Sequence, residues 1–462
     1  MQPADRDILR LAVPAFAALV AEPLFLLADS AIVGHLGTPQ LAGLGIAGAV
    51  LTTAVSLCVF LAYGTTASVA RRFGAGDLRS ALALGVDGLW LAGGLGVLLG
   101  VAGLVAAEPL VATFDASSAT SSYALTYLRI SLLGIPAMLL VLAATGVLRG
   151  LQDTRTPLYV AVAGSVANVA LNLLLVYGLD LGIAGSAWGT VLAQAGMAGA
   201  FLVVVVRGAR RSSAPLSPDL PGIRAAGTAA VPLIVRTATL RAALLLTTYV
   251  AASTGTVAMA AHQVAFNVWM LLALALDAIA IAGQAIVGKA LGAGDVALAR
   301  DLTRRMLWWG AGIGVVLGVL VVALRPAYVP LFSSDDGVQT VLAAILVVAA
   351  VFQPVAGVVF ALDGVLIGAG DTRYLAWAGV ITLVVFAPLA LLVLATDAGI
   401  EALWWAFNAF LLARLATLIW RWRGDAWLVP GAAVPASGWA ASATRRRPGP
   451  GRWQRPPGGG GC

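Results

Sequence analysis

Residues 27–38 read LADSAIVGHLGT and close the first apolar stretch of the chain, Ile8 to Val33. About 26 residues at ~1.5 Å each cover roughly 39 Å, enough to cross a bilayer with some tilt. Two carboxylates, Glu22 and Asp29, lie inside this stretch. A charge at membrane depth costs at least ~2.5 kcal/mol and as a rule faces a bundle interior or a wet cavity, so both acids are functional candidates. Their spacing of seven residues is two helical turns and puts them on one face. Pro14 and Pro23 remove backbone donors in the same stretch, which predicts a hinged first helix.

Composition places the rest of the chain in the same environment. Of 462 residues, 60% are hydrophobic and 11% charged, so membrane spans rather than soluble cores set the units. The net charge of +7 is dispersed over loops and one tail, which argues against a nucleic-acid partner. Two cysteines, Cys58 and Cys462, supply neither a disulfide framework nor a metal set, and no metal or cofactor is expected. The short lead MQPADRD runs into a span too long for a signal core, so it reads as a retained first helix.

The hydropathic pattern predicts an all-α polytopic protein of twelve transmembrane helices, centred near residues 20, 55, 93, 133, 168, 195, 240, 272, 316, 351, 386 and 411. With a cytoplasmic N-terminus, the inside segments collect nearly all the Lys and Arg, and the outside loops hold only Arg325. Both termini are therefore expected in the cytoplasm, with the chain in the plasma membrane. Residues 207–225 (RGARRSSAPLSPDLPGIRA) read as a linker between lobes at 1–206 and 226–422. Residues 423–462, rich in Gly, Pro, Ala and Arg, read as a disordered cytoplasmic tail.

The two lobes are a repeat. GAGD at 74–77 recurs at 292–295, GVLRGLQDTR at 146–155 recurs as GVLIGAGDTR at 364–373, and Val13-Pro14 recurs as Val231-Pro232, each 218 residues on. Six spans per repeat give both lobes the same orientation, an architecture in which substrates pass between the bundles. The GAGD and DTR segments read as turns and caps, since no P-loop lysine follows.

The repeat also separates fold from function. The same shift carries Glu22 to Leu240, Asp29 to Thr247, Tyr127 to Ile345, Asn168 to Phe386 and Asn172 to Ala390, while Thr190 falls, one residue short, on Phe407. The first lobe thus owns the polar interior. Asp29, Tyr127, Asn172 and Thr190 lie about four to six residues below the outer ends of four different spans, a single layer, with Glu22 and Asn168 nearer the midplane. A carboxylate among amide, phenol and hydroxyl groups, with no fixed cation, is equipped to load and release protons. Asp277 and Asp363, near the inner ends of their spans, are secondary candidates or partners of nearby arginines.

The ordered motifs DSAIVGHLGT, RRFGAGD, GVLRGLQDTRTP, AHQVAFNVWMLLALALDAIAIAGQAIVGKALGAGD and FALDGVLIGAGDTR resemble the multidrug and toxic compound extrusion family in its DinF-like branch, over roughly residues 8–420. The resemblance implies two six-helix lobes around a central cleft and export of organic compounds in exchange for H+ or Na+. It matches Asp29 to an essential first-helix Asp, and Tyr127 and Thr190 to its polar neighbours. The fifth-helix Asn-x-x-x-Asp pair of that branch reads Asn168 and Asn172 here, which disfavours Na+ and leaves H+ as the expected coupling ion. The expected partners are a small organic, cationic or amphipathic substrate and membrane lipids, with the protein a monomer. A flippase of lipid-linked saccharides would call for more cationic lining and extra helices. An intramembrane enzyme would call for a DDxxD, HExxH or GxSxG motif that the chain lacks.

Overall fold

The computed structural model describes residues 3–432, with the side chains of Pro3 and Ala225 aside, and among these residues its regular structure is helical throughout. Ten helices or helix pairs cross singly and two further crossings are bent pairs, which together make the twelve expected spans. The first lobe comprises α1 (Pro3–Gly34), α2 (Thr38–Leu57) with α3 (Phe60–Gly74), α4 (Leu78–Ala112), α5 (Ser118–Leu132) with α6 (Ile135–Gly150), α7 (Arg155–Leu173) and α8 (Gly182–Arg211). The second comprises α9 (Leu220–Ser253), α10 (Thr256–Gly292), α11 (Val296–Phe332), α12 (Asp336–Val351) with α13 (Gln353–Gly368), α14 (Thr372–Thr396) and α15 (Gly399–Arg423).

The repeat is visible in the breaks. The α5–α6 pair bends by 51° and the α12–α13 pair by 49°. Each second helix has a proline as its second residue, Pro136 or Pro354, where a missing N–H is harmless. The two GAGD segments end in N-caps: Asp77 Oδ1 accepts from Ser80 N at 2.9 Å and Asp295 Oδ1 from Leu298 N at 2.8 Å. Helix α1 runs unbroken through Pro14 and Pro23.

The lobes meet at the end of the bundle that carries Ala4 and residues 425–431. There α3 crosses α10 so closely that a Cβ on Gly74 would lie 2.0 Å from the Lys289 carbonyl oxygen, and one on Gly292 would lie 2.0 Å from that of Arg71. Only glycine fits either place, and the two contacts are images of each other under the repeat. Deeper in the bundle, Ala15 and Leu19 of α1 pack on Ala278 and Ile281 of α10.

Two boundaries differ from expectation. The linker is shorter than 207–225, because α8 continues to Arg211 and α9 begins at Leu220 under an Asp219 cap. The residues between fold onto α4, where Trp90 Nε1 donates to the Leu216 carbonyl and Asp219 N to Asp87 Oδ1, both at 3.0 Å. The tail does not begin as free chain at 423: Trp427 and Leu428 are buried in the core, because the apolar run AWLVP has enough side chain to pack. Residues 433–462, the rest of the expected disordered tail, lie outside the described residues.

Candidate coupling site

Asp29 is 3% exposed and accepts three hydrogen bonds from three other helices. Tyr127 of α5 donates to Oδ2 at 3.0 Å. Asn172 of α7 and Ser186 of α8 both donate to Oδ1, at 2.7 and 2.5 Å. Beyond this first ring, Asn172 Nδ2 also reaches Asn168 Oδ1 at 3.3 Å, and Asn168 Nδ2 donates to Thr190 Oγ1 at 3.1 Å. Asn168 and Asn172 are both fully buried and stand one turn apart on α7, the spacing that lets one amide hand its bond to the next.

Every residue of the expected outer layer is therefore brought together, and Asn168 joins it. Ser186 escaped the sequence reading. It lies one turn before Thr190 on α8 and shares its face, a signal that helical periodicity carries. The three donors are neutral, so the site satisfies a carboxylate without fixing its charge with a cation. Gly189 provides the room: a Cβ there would sit 1.9 Å from Asn172 Oδ1.

The equivalent region of the second lobe is filled with hydrocarbon and aromatic rings. Thr247 turns its hydroxyl back to the Ala243 carbonyl, 2.8 Å away, and Ile345, Phe386, Ala390 and Phe407 are buried in one apolar cluster. Phe407 stacks on Phe410 at 6.0 Å and meets Trp269 edge-on at 5.2 Å.

Glu22 does not join Asp29. It is exposed, two turns nearer the closed end, and feels the charge of Arg149 of α6. Arg149 also interacts with Asp277 of α10 and Tyr63 of α3. Asp363 is held more firmly still. Arg236 Nη2 reaches Oδ2 at 2.7 Å, and Arg414 Nη2 reaches both oxygens at 2.7 Å. Arg414 was not expected, although a charge inside the last span marks it. Arg129, also inside a span, pairs with Glu108 at 2.6 Å in an exposed position.

Comparison with known proteins agrees with this layout. The family described as MatE matches residues 14–174 and 232–392, two segments displaced by the repeat distance. The chain is 31% identical to Protein DETOXIFICATION 44, chloroplastic, of Arabidopsis thaliana, over 90% of this chain and 81% of that protein. It is 28% identical to DNA damage-inducible protein F of Escherichia coli K12, over 92% and 94% of the two chains. Among solved structures, a MATE transporter in its bent conformation superposes with a TM-score of 0.85 at 22% identity, covering 92% of this chain and 96% of that one.

Proposed function

Since the chain belongs to the multidrug and toxic compound extrusion family of membrane transporters, and is not an enzyme, we propose that it is a proton-coupled antiporter exporting organic cations, with Asp29 as the proton carrier. The observation that carries this reading is the company of Asp29: three neutral donors and no basic side chain among its hydrogen-bond partners. A carboxylate so placed is satisfied when ionised and keeps partners when protonated. Oδ1 already accepts two bonds, so the proton settles on Oδ2, and the Tyr127 hydroxyl rotates from donor to acceptor. Each proton bound thus reverses one bond between α1 and α5 and removes one negative charge from the first lobe.

The cycle follows from that change. The lobes are sealed at the end carrying Ala4 and residues 425–431, which we place in the cytoplasm of a plasma-membrane protein, so the cleft faces outward. Asp29 lies toward the open side. Ionised, it attracts a cationic substrate; protonated from outside, it releases that substrate and lets the chain reset. The proton biases the two states only by its difference in affinity for them. Pro14 and Pro23 supply the hinge, since each breaks an i to i−4 bond within α1. Asn172, in place of a second carboxylate, weakens the site for Na+. Neither a bound metal nor a cofactor is called for, and one monomer contains the whole path.

The deciding experiment is transport by the purified protein in proteoliposomes, with a pH gradient in one set and a Na+ gradient in the other. Cation uptake driven by the pH gradient, indifferent to Na+ and dissipated by a protonophore, is expected. Transport that needs Na+ and survives collapse of the pH gradient would overturn the assignment.

A further inference from the structure

Arg71 and Lys289 occupy equivalent places in the two halves, each three residues before the glycine that meets the opposite helix. Their side chains do different things. Lys289 is exposed, donates to Gln152 Oε1 at 3.1 Å and lies 5.4 Å from the centre of the Phe73 ring. Arg71 is fully buried, and its guanidinium reaches three carbonyls on two separate pieces of chain. Nη2 donates to the Ala369 carbonyl at the end of α13, at 2.5 Å. Nη1 donates to the carbonyls of Val429 and Gly431, at 2.9 and 3.1 Å.

The segment that receives Nη1 is anchored to the second lobe as well. Gly431 N donates to the Leu291 carbonyl of α10 at 3.0 Å, Arg300 of α11 binds Asp425, and Trp427 is 2% exposed. Helix α15 is complete at Arg423, so this segment adds nothing to the last span. It lies across the seam between α3 and α10, and a first-lobe cation holds it there.

We propose that Arg71 and residues 425–431 form a latch on the seam, which must release before the lobes can part at that end. The proposal rests on the alternating-access reading given above. Its chemistry is specific to arginine: a planar guanidinium presents five donors in a fixed fork and can answer three carbonyls at once, which a lysine ammonium at the same place cannot match in direction or reach. Without residues 425–431, the guanidinium loses two of its carbonyl acceptors and with them part of the tie between α3 and the second lobe. The latch therefore makes closure at this end depend on a piece of chain outside the twelve spans, and its counterpart at Lys289 has no such role.

Cysteine accessibility reads the seam without any transport. In a background of Cys58→Ala and Cys462→Ser, Ala67→Cys places a thiol between α3 and α10. Removing all residues after Gly424, or replacing Arg71→Lys, should raise maleimide labelling of that thiol about tenfold, the factor that one lost charge-assisted hydrogen bond represents. Lys289→Arg should leave it unchanged. Labelling at the parental rate in both latch variants, with monodisperse protein, would overturn the proposal. In the intact chain, hydrogen exchange at the amides of residues 425–431 should rise together with labelling of Ala67→Cys. Constant protection there while the seam opens would overturn it even if both variants failed to fold. Na+-driven transport would sink the proton reading and leave the labelling result standing.

Discussion

Asp29 and Glu22 stand two turns apart on one face of α1 and meet different company: Asp29 is enclosed by three neutral donors, whereas Glu22 is exposed and feels the charge of Arg149. A carboxylate with neutral donors keeps its partners whether ionised or protonated, so Asp29 can take up and release a proton without leaving a buried cation unpaired. Asp29→Asn should therefore abolish transport driven by a pH gradient while leaving insertion intact. Tyr127→Phe should lower the rate about tenfold, since it removes a donor worth ~1.5–3 kcal/mol to a charged acceptor. Thr247→Ala, at the equivalent place in the second lobe, should transport at the normal rate. Equal losses in Asp29→Asn and Thr247→Ala, measured in the same vesicles, would refute the assignment of coupling to the first lobe.

Gly189→Ala tests the site without touching a polar group. A Cβ at this position would lie 1.9 Å from Asn172 Oδ1, so the amide must swing away from Asp29. The expected loss of transport is of the same order as for Asn172→Ala, about tenfold. Normal rates in Gly189→Ala alongside a poor Asn172→Ala protein would show that the amide contributes something other than its bond to Asp29.

Asp363 holds the second lobe together by pairing with both Arg236 and Arg414, all three within 10% exposure. Asp363→Asn strands two buried guanidinium groups and should cost about 3–5 kcal/mol. The measurement is thermal unfolding of the detergent-solubilised protein, which should show a clear drop in Tm; an unchanged Tm would mean that Asp363 serves coupling instead of structure.

At the crossing of α3 and α10, Gly74→Ala and Gly292→Ala should each force the two backbones apart, because the added carbon would lie 2.0 Å from a carbonyl oxygen. Either substitution alone should speed labelling of Ala67→Cys. Rates that stay at the parental value would show that the helices cross with more freedom than their spacing implies.

The twelve spans and the repeat were legible because hydropathy and self-similarity are one-dimensional signals, and Asp29, Tyr127, Asn172 and Thr190 could be grouped because depth in a membrane follows from residue counting. Ser186 was readable in principle, one turn from Thr190, yet a serine in a membrane helix is ordinary until its partner is known. That Asp363 would pair with arginine was open to reading; which arginines was not. Arg236 and Arg414 reach it across 127 and 51 residues of chain, and nothing local marks the meeting. Composition overstates the linker and the tail because it describes only what a segment cannot bury by itself. Trp427 and Leu428 bury themselves against helices already formed.

Gly74 and Gly292 explain why the halves of this chain have kept some motifs and lost others. The two copies of a repeat are free to differ wherever each packs only against itself, and the interiors here do: a carboxylate in one stands where the other has a threonine, an asparagine where the other has a phenylalanine. The crossing point is different, because there the copies touch each other. Each glycine lies against the backbone of its own twin's helix, and backbone cannot mutate to make room. Inheritance is thus held still where the duplicated halves are each other's environment, and left free where each half faces only itself.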